Sequence, residues 1–447
     1  MPYKFYGGVH PPAFKTLTSD GPIKRAFIPK RVVIPLSQHA GSPAQPVVAV
    51  GDAVAVGTLI AKATGFISSQ VHATIGGKVT KISHSPTPTL ARALSITIES
   101  QGGEDQEFKA PAKRQGIGSL SPKELIDIIR DAGIVGLGGA AFPTHVKLVP
   151  PPEKGIDSVI LNGAECEPYL TCDHRLMLER PKDIFKGLEI IARALGARDS
   201  YIAIEDNKLS SIYAMERALS AFSFQSSAFS VKIVTLKTKY PQGAEKQVIK
   251  AVLNRVVPAG GLPMDDGCLV QNVGTAVAVY EAVHLGKPLI ERAITITGPC
   301  VKEPMNIYAR IGTLISDLVA LTGPFLKPAK KVIAGGPMMG IAQYTMDVPV
   351  IKGTSGVLLL SKDEIDEAPE SVCIRCGKCI EVCPMGLTPT TLMYNVKNKR
   401  FKEAKELGIA HCYECAACAY ACPAKIPLLD YMKFGKSKIH PASPKDK

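Results

Sequence analysis

The chain has 447 residues, 46% of them hydrophobic, the share of a folded, core-forming protein, and at roughly 150 residues per domain the length asks for about three domains. Its 53 Lys and Arg against 40 Asp and Glu leave a net charge of +13, which suits an acidic partner or an anionic membrane surface; nucleic-acid binding is set aside because no basic motif is interleaved with aromatics and Trp is absent. No stretch approaches about 18 consecutive apolar residues and the start is polar and Gly/Pro-rich, so a soluble, unsecreted chain is expected.

Residues 1–24 form an N-terminal extension carrying Tyr6-Gly7-Gly8-Val9-His10-Pro11-Pro12. From 25 to 110, short Val/Ile/Ala runs broken by Gly, Pro or Ser predict small β-structure. Within it, the run Val47 to Ile60 and the later Val71-His72-Ala73 with Gly76-Gly77-Lys78-Val79 resemble the two halves of a biotinyl/lipoyl-like barrel-sandwich hybrid. The segment Thr64 to Gln70, where a carrier's modified lysine would be sought, contains none, so a docking or structural module is expected.

After a charged linker, Ser121-Pro122-Lys123-Glu124 supplies an N-cap serine, a proline at the first helical position and an acid at the third, and Leu125, Ile126, Ile128 and Ile129 continue at helical spacing. That helix must stop in Gly133-Ile134-Val135-Gly136-Leu137-Gly138-Gly139. Apolar runs at Ser158–Leu161, Tyr201–Ile204 and Val231–Leu236 then alternate with helical stretches, predicting an α/β domain over 115–287 with a Rossmann-like sheet. Residues 290–348 read as a small α+β module, 366–435 as a mainly helical module around the cysteines, and 436–447 as a basic tail.

Of twelve cysteines, eight lie between Cys373 and Cys422, which points to metal in a reducing compartment rather than to a disulfide framework. The runs are Cys373-x2-Cys376-x2-Cys379-x3-Cys383-Pro384 and Cys412-x2-Cys415-x2-Cys418-x3-Cys422-Pro423. In such a pair, three cysteines of each run wrap one cubane and the fourth ligates the other. Cys373, Cys376, Cys379 and Cys422 are therefore expected to hold one [4Fe–4S] cluster, and Cys412, Cys415, Cys418 and Cys383 the second. Structural zinc, the competing use of thiolates, ordinarily takes two separated cysteine pairs. The other four, Cys166, Cys172, Cys268 and Cys300, have no ligand spacing and read as small buried hydrophobes.

The segment Gly136-Leu137-Gly138-Gly139-Ala140-Ala141-Phe142-Pro143-Thr144-His145-Val146-Lys147 resembles the glycine loop of the NADH-binding flavoprotein subunit of respiratory complex I. Asn162 to Pro168 resembles that family's Asn-x-x-Glu-x-Glu-Pro turn, Tyr240 to Glu245 its Tyr-x-x-Gly-x-Glu segment, and Gln271 to Thr275 its Asn-Asn-Val-x-Thr. With the Gly-Gly-Val-His-Pro-Pro start, the barrel, a soluble-ligand-binding β-grasp (SLBB) at 290–348 and the two-cluster tail, the whole chain resembles the RnfC family, the peripheral subunit of the membrane-bound Rnf ferredoxin:NAD oxidoreductase. The resemblance implies FMN surrounded by Gly136, Gly138, Gly139, Asn162, Gly243, Glu245, Asn272 and Thr275, with Lys147, Glu165 and Glu167 facing NAD(H). It also implies coupling to sodium or proton translocation, partnership with other Rnf subunits including an iron–sulfur subunit and with ferredoxin, and a peripheral place on the cytoplasmic face of the bacterial cell membrane. The family's flavoprotein motif has an arginine where this chain has Leu137.

Independently of the resemblance, nicotinamide yields two electrons together and a [4Fe–4S] cluster takes one, so a protein joining them needs a converter, for which flavin is the usual choice. No nucleophile or general base is expected. Two other readings are a soluble flavin and iron–sulfur reductase of the cobalamin-reducing type, and a non-catalytic iron–sulfur relay; the N-terminal motif and barrel favour the Rnf reading over the first, and flavin uptake separates it from the second.

Overall fold

The computed structural model describes residues 3–89, 91–103, 106–110, 117–224 and 229–439. The expected basic tail lies, from residue 440 on, outside the described residues.

The first module is a two-sheet β-sandwich. One sheet runs in the order Arg31–Pro35, Ala93–Glu99, Gly77–Ser85, Ala53–Val54, and the other Gln45–Pro46, Leu59–Lys62, Val71–His72, all pairs antiparallel. Alternation along the strands turns Val32, Ile34, Ile60, Val79, Ile96 and Ile98 into a shared core. The Thr64–Gln70 tip is not a free carrier arm: Ser68 and Ser69 are buried, the Phe66 carbonyl lies 3.3 Å from His145 Nε2, and the nearby Ala40 N–H donates to Ala141 O at 3.1 Å. The barrel is thus docked on the segment that follows the glycine loop.

The capping box at Ser121 forms as expected, with Glu124 N–H donating to Ser121 Oγ and the Glu124 carboxylate accepting from Ser121 N–H, and the helix runs Pro122–Asp131. Four parallel strands follow in the order Ser230–Leu236, Asp199–Glu205, Ser158–Asn162, Cys268–Asn272. The chain starts in the third position of this row, winds outward to one edge, and returns to the far side of its first strand. Such a reversal leaves a crevice at the carboxyl ends of the two strands flanking it. Here those strands end at Asn162 and Asn272, which are register partners.

The β-grasp module centres on a six-stranded mixed sheet in the order Lys24–Arg25, Met305–Arg310, Glu291–Thr297, Gly356–Leu360, Lys331–Ala334, Ile341–Gln343, with the helix Ile315–Ala320. Gly356–Leu360, outside the expected 290–348 span, is an interior strand of this sheet. Its unbroken Gly-Val-Leu-Leu-Leu run is buried throughout, as a strand covered on both faces requires. The N-terminal extension supplies the edge strand at Lys24–Arg25. The cysteine module contains helices and loops without a strand among its described residues, and packs Leu392, Met393, Val396, Ile409, Leu428 and Met432 into its own core.

Candidate functional site

The glycine loop leaves the end of the first α/β helix and doubles back, with Gly136 N–H donating to Phe142 O at 2.8 Å and Thr144 N–H to Ile134 O at 3.0 Å. Gly139 sits at φ +114°, where an L side chain is strained. At Gly138 a Cβ would lie 3.5 Å from the Asn272 side chain, so the loop passes over the switch-point crevice. Leu137 N–H donates to the buried Thr275 hydroxyl at 2.9 Å. The Leu137 side chain itself is in the domain core and offers the crevice no charge.

The opposite wall is built by the two asparagines. Asn162 Nδ2 donates to Gly243 O at 2.7 Å, and its Oδ1 accepts from Ala164 N–H at 3.1 Å. Asn272 caps the helix Val273–Leu285, accepting from Gly274 N–H at 2.8 Å, while its Nδ2 donates to Asp173 Oδ2 at 2.6 Å. Lys147 is ion-paired with Glu245, the first residue of the helix Glu245–Leu253, and also reaches Val270 O at 3.3 Å. Glycine loop, Asn162, Gly243, Glu245, Asn272, Thr275 and Lys147 therefore converge on one crevice, beside the N-terminus of the helix Val273–Leu285 that Asn272 caps. A glycine-lined crevice at a strand-order reversal, with an oriented helix end, fits the phosphate-bearing flavin FMN.

The two acids of the 162–168 turn are placed differently from the rest. Glu165, at φ +44°, turns its carboxylate onto the amides of Asp173 and His174 at 2.7 and 3.2 Å, capping the helix Cys172–Glu179. Glu167 accepts from Met338 N–H at 3.1 Å and Met339 N–H at 2.8 Å in the β-grasp turn, and burial pushes its carboxyl up to about 7. Both carboxyls accept from backbone amides that have no ladder partner, and so hold the turn in shape. Asp173 is raised to about 7 by burial first and by neighbouring Glu165 second.

Buried cations close the turn from beneath. Lys15, from the N-terminal extension, donates to the carbonyls of Glu165, Glu167 and Leu170 at 2.8, 3.0 and 2.7 Å, and burial lowers it to about 8. Lys208 donates to Ala164 O at 2.6 Å. Neither lysine carries a motif, and only the fold brings them here.

All twelve cysteines are unpaired thiols. Cys383 lines one apolar cavity with Cys412, Cys415 and Cys418. Burial raises the last three thiols, and proximity to Cys383 raises each further. Cys379 is raised first by burial and then by Cys422 and Cys376. Cys383 thus lies beside the first three cysteines of the second run, and Cys422 beside Cys379 of the first. The loops repeat one backbone: Arg375 and Gly377 around Cys376, and Glu414 and Ala416 around Cys415, all have positive φ, as do Gly386 and Lys425 three residues after the fourth cysteines. Four unpaired thiols around one enclosed apolar space, with an amide of the loop directed at sulfur (Glu414 N–H to Cys412 Sγ, 3.4 Å), fit an iron–sulfur cubane.

The Cys415 loop and the segment around Cys383 are both pinned to the crevice domain and the N-terminal extension. Tyr240 Oη donates to Cys415 O at 2.8 Å, and Gln247 Nε2 to Pro384 O at 3.3 Å. Val9 and Tyr240 exchange both backbone hydrogen bonds at 2.8 Å, and Gly8 N–H donates to Val382 O at 2.8 Å. Gly7 has room for no more than a hydrogen, since a Cβ would sit 2.8 Å from the Cys383 carbonyl. Cys166, on the crevice turn, packs against this junction and accepts from Gly243 N–H at 3.3 Å. The other site is the open one: Cys376 is exposed, and Val372 and Ile374 are 85% and 68% exposed.

Four family models match the chain: the RnfC barrel sandwich hybrid domain over residues 3–103, the Nuo51 FMN-binding domain over 129–281, the SLBB domain over 293–342 and the 4Fe-4S dicluster domain over 372–426. Similar proteins include the C subunit of the proton-translocating ferredoxin:NAD(+) oxidoreductase complex of Clostridium ljungdahlii, 46% identical over 99% of this chain and 95% of that protein. The C subunit of the Na(+)-translocating complex of Acetobacterium woodii is 43% identical over 88% of each chain. The corresponding C subunit of the ion-translocating oxidoreductase complex of Rhodobacter capsulatus is 39% identical over 98% of this chain and 83% of that one. In fold, the chain resembles the crystal structure of NAD+-reducing [NiFe]-hydrogenase in the H2-reduced state, with a TM-score of 0.50 and 20% identity over 73% of this chain and 65% of the other.

Proposed function

Because the chain belongs to the family of C subunits of ion-translocating ferredoxin:NAD(+) oxidoreductase complexes, we propose that it carries electrons between NAD(H), FMN and two [4Fe–4S] clusters within such a complex. It is an NADH-linked oxidoreductase subunit with a flavin module and a two-cluster module. The observation that carries the reading is the Tyr240–Cys415 hydrogen bond, which ties the flavin crevice to one cysteine loop. When bound, FMN supplies the conversion between hydride transfer and single-electron transfer, and the clusters take electrons one at a time.

The residues of the chain then have these parts. Gly136, Gly138, Gly139, Asn162, Gly243, Glu245, Asn272 and Thr275 surround FMN. Lys147 faces NAD(H) through its pair with Glu245, while Glu165 and Glu167 shape the nicotinamide side by fixing the turn between them. Cys412, Cys415, Cys418 and Cys383 hold the cluster near the flavin; Cys373, Cys376, Cys379 and Cys422 hold the outer one. Exposed Val372 and Ile374 beside Cys376 suit the outer site to handing electrons to a partner in the complex or to ferredoxin.

No helix among the described residues is long and apolar enough to cross a membrane. The relatives are subunits of ion-translocating complexes, so we place this chain peripherally on the cytoplasmic face, held by partner subunits, with proton or sodium translocation carried by those partners.

The test is an anaerobic absorbance spectrum of the full chain reconstituted with iron, sulfide and FMN, before and after NADH. Bleaching of the flavin bands followed by loss of cluster absorbance is the expected result. Intact clusters with no retained flavin would overturn it and make the protein a relay.

A further inference from the structure

Arg292 opens the first long strand of the β-grasp module, yet its guanidinium is spent on the glycine loop. The side chain is 4% exposed. Nη2 donates to Leu137 O at 3.0 Å, Nη1 to Lys352 O at 2.6 Å and Nε to Ala293 O at 3.2 Å. A second cation of the same module, Lys352, donates to Gly133 O at 2.7 Å, Gln70 O at 2.6 Å and Ser69 Oγ at 3.2 Å. The loop from Gly133 to Leu137 is therefore gripped at both ends from below, and a Cβ on Gly353 would lie 3.0 Å from Gly139 O.

A peptide unit is planar and trans, so its C=O and N–H point to opposite sides. With the Leu137 carbonyl drawn to Arg292, the N–H of Gly138 points the opposite way, and Gly138 itself stands beside Asn272, whose side chain a Cβ there would meet at 3.5 Å. Arginine is suited to this because its charge is permanent and its fork holds several acceptors in fixed directions. A guanidinium buried there also makes a nearby electron-rich group more stable, since little water screens it.

We propose that Arg292 is a positioning residue of the flavin site: from the adjoining β-grasp module it aims the Gly138 amide into the crevice and sets a fixed positive charge beneath the glycine loop, so that two modules share one flavin pocket. The proposal rests on the flavin reading above.

The experiment uses the full chain with both clusters assembled, and compares wild type, R292Q and R292K for FMN affinity by fluorescence quenching and for flavin midpoint potential by spectroelectrochemistry. R292Q is expected to weaken FMN binding roughly tenfold or more, the scale of one lost oriented donor in a buried site, and to move the flavin potential to more negative values. R292K keeps the charge but not the fork, so it is expected to weaken binding while leaving the potential near wild type. A merely structural role would not separate affinity from potential in this way. If R292Q binds FMN with unchanged affinity and potential, the proposal fails. If R292Q does not assemble, R292K decides, and wild-type affinity or a potential shifted as far as that of an uncharged site overturns it. Wild-type chain that takes up no FMN while assembling both clusters would instead overturn the flavin reading, and this proposal with it.

Discussion

Replacing Tyr240 by Phe removes one oxygen and leaves the ring, which makes it a clean probe of the junction between the flavin crevice and the inner cluster loop. The ring is 2% exposed and its hydroxyl has one acceptor, Cys415 O, at 2.8 Å. The net value of a neutral hydrogen bond is about 1 kcal/mol, and stranding a buried carbonyl adds a desolvation penalty of about 1–3 kcal/mol, so a loss of about 2 kcal/mol is expected. At 1.4 kcal/mol per factor of ten, local opening of the loop should become about 30-fold more frequent. The neighbouring bonds, Gly8 N–H to Val382 O and Gln247 to Pro384 O, hold the segment around Cys383 rather than the 412–420 loop and are untouched by the change. Hydrogen exchange measured on the reconstituted chain reads this directly: amides of residues 412–420 should lose about 30-fold protection, while those of the distant helix Pro181–Leu195 keep theirs. In stopped flow, NADH-driven flavin bleaching should be unaffected and cluster reduction slowed. Equal protection of residues 412–420 in both proteins would refute the reasoning, because the junction would then not depend on the bond that defines it.

Three further substitutions address separate parts of the site. Cys383→Ser should abolish the cluster of the 412–418 run and spare that of the 373–379 run, leaving about four irons per chain; loss confined to the 373–379 cluster, seen by iron content and by EPR of single-run variants, would show that the fourth cysteine does not cross over. Gly139→Ala places a side chain at φ +114° in open space, so strain alone acts and stability should fall by about 1–2 kcal/mol, which an unchanged urea midpoint would contradict. Glu167 has its carboxyl raised to about 7 by burial, above the unfolded value of about 4.3. Between those values the folded state binds more protons than the unfolded one, so this group's contribution is fully present below the unfolded value and is lost as pH rises through about 7. Glu167→Gln should therefore flatten the decline in stability between pH 5 and 8; a wild-type slope in the variant would remove Glu167 as its source.

The order of modules and the two four-cysteine runs are legible because each is written in local sequence. The Ser121 capping box, the Cys-x2-Cys-x2-Cys-x3-Cys-Pro runs and the alternating barrel strands all act within a few residues of themselves. The strand Gly356–Leu360 was missed because a short apolar run without alternation reads equally as linker or as buried strand until its neighbours are known. Within the site, Asn162, Gly243, Asn272 and Thr275 stand in motifs and come together in the crevice, whereas the inward turn of Glu165 and Glu167 depends on amides at 173–174 and 338–339 that no local pattern announces. Arg292, in Glu-Arg-Ala-Ile-Thr-Ile-Thr, looks like any arginine at the mouth of a strand; its partner Leu137 lies 155 positions away.

The buried cations share one physical cause. The glycine loop and the acidic turn are neither helix nor strand, so most of their carbonyls lack ladder partners, yet a buried carbonyl left unpaired is costly. The stretches 133–139 and 164–170 are of this kind. Their inward carbonyls are taken by Lys352 at Gly133, Arg292 at Leu137, Lys208 at Ala164, and Lys15 at Glu165, Glu167 and Leu170. Each cation comes from outside the segment it holds, and Lys15 comes from the N-terminal extension that also holds the Val382–Cys383 segment through Gly7 and Gly8 and pairs with Tyr240 through Val9. Part of the positive excess of the chain is thus interior and structural rather than a surface for acidic partners. It follows that the extension cannot be removed without loosening both walls of the electron path: trimming residues 1–15 should lower flavin occupancy and slow cluster reduction together, and a trimmed chain that keeps both would show that the acidic turn and the cysteine loop stand without it.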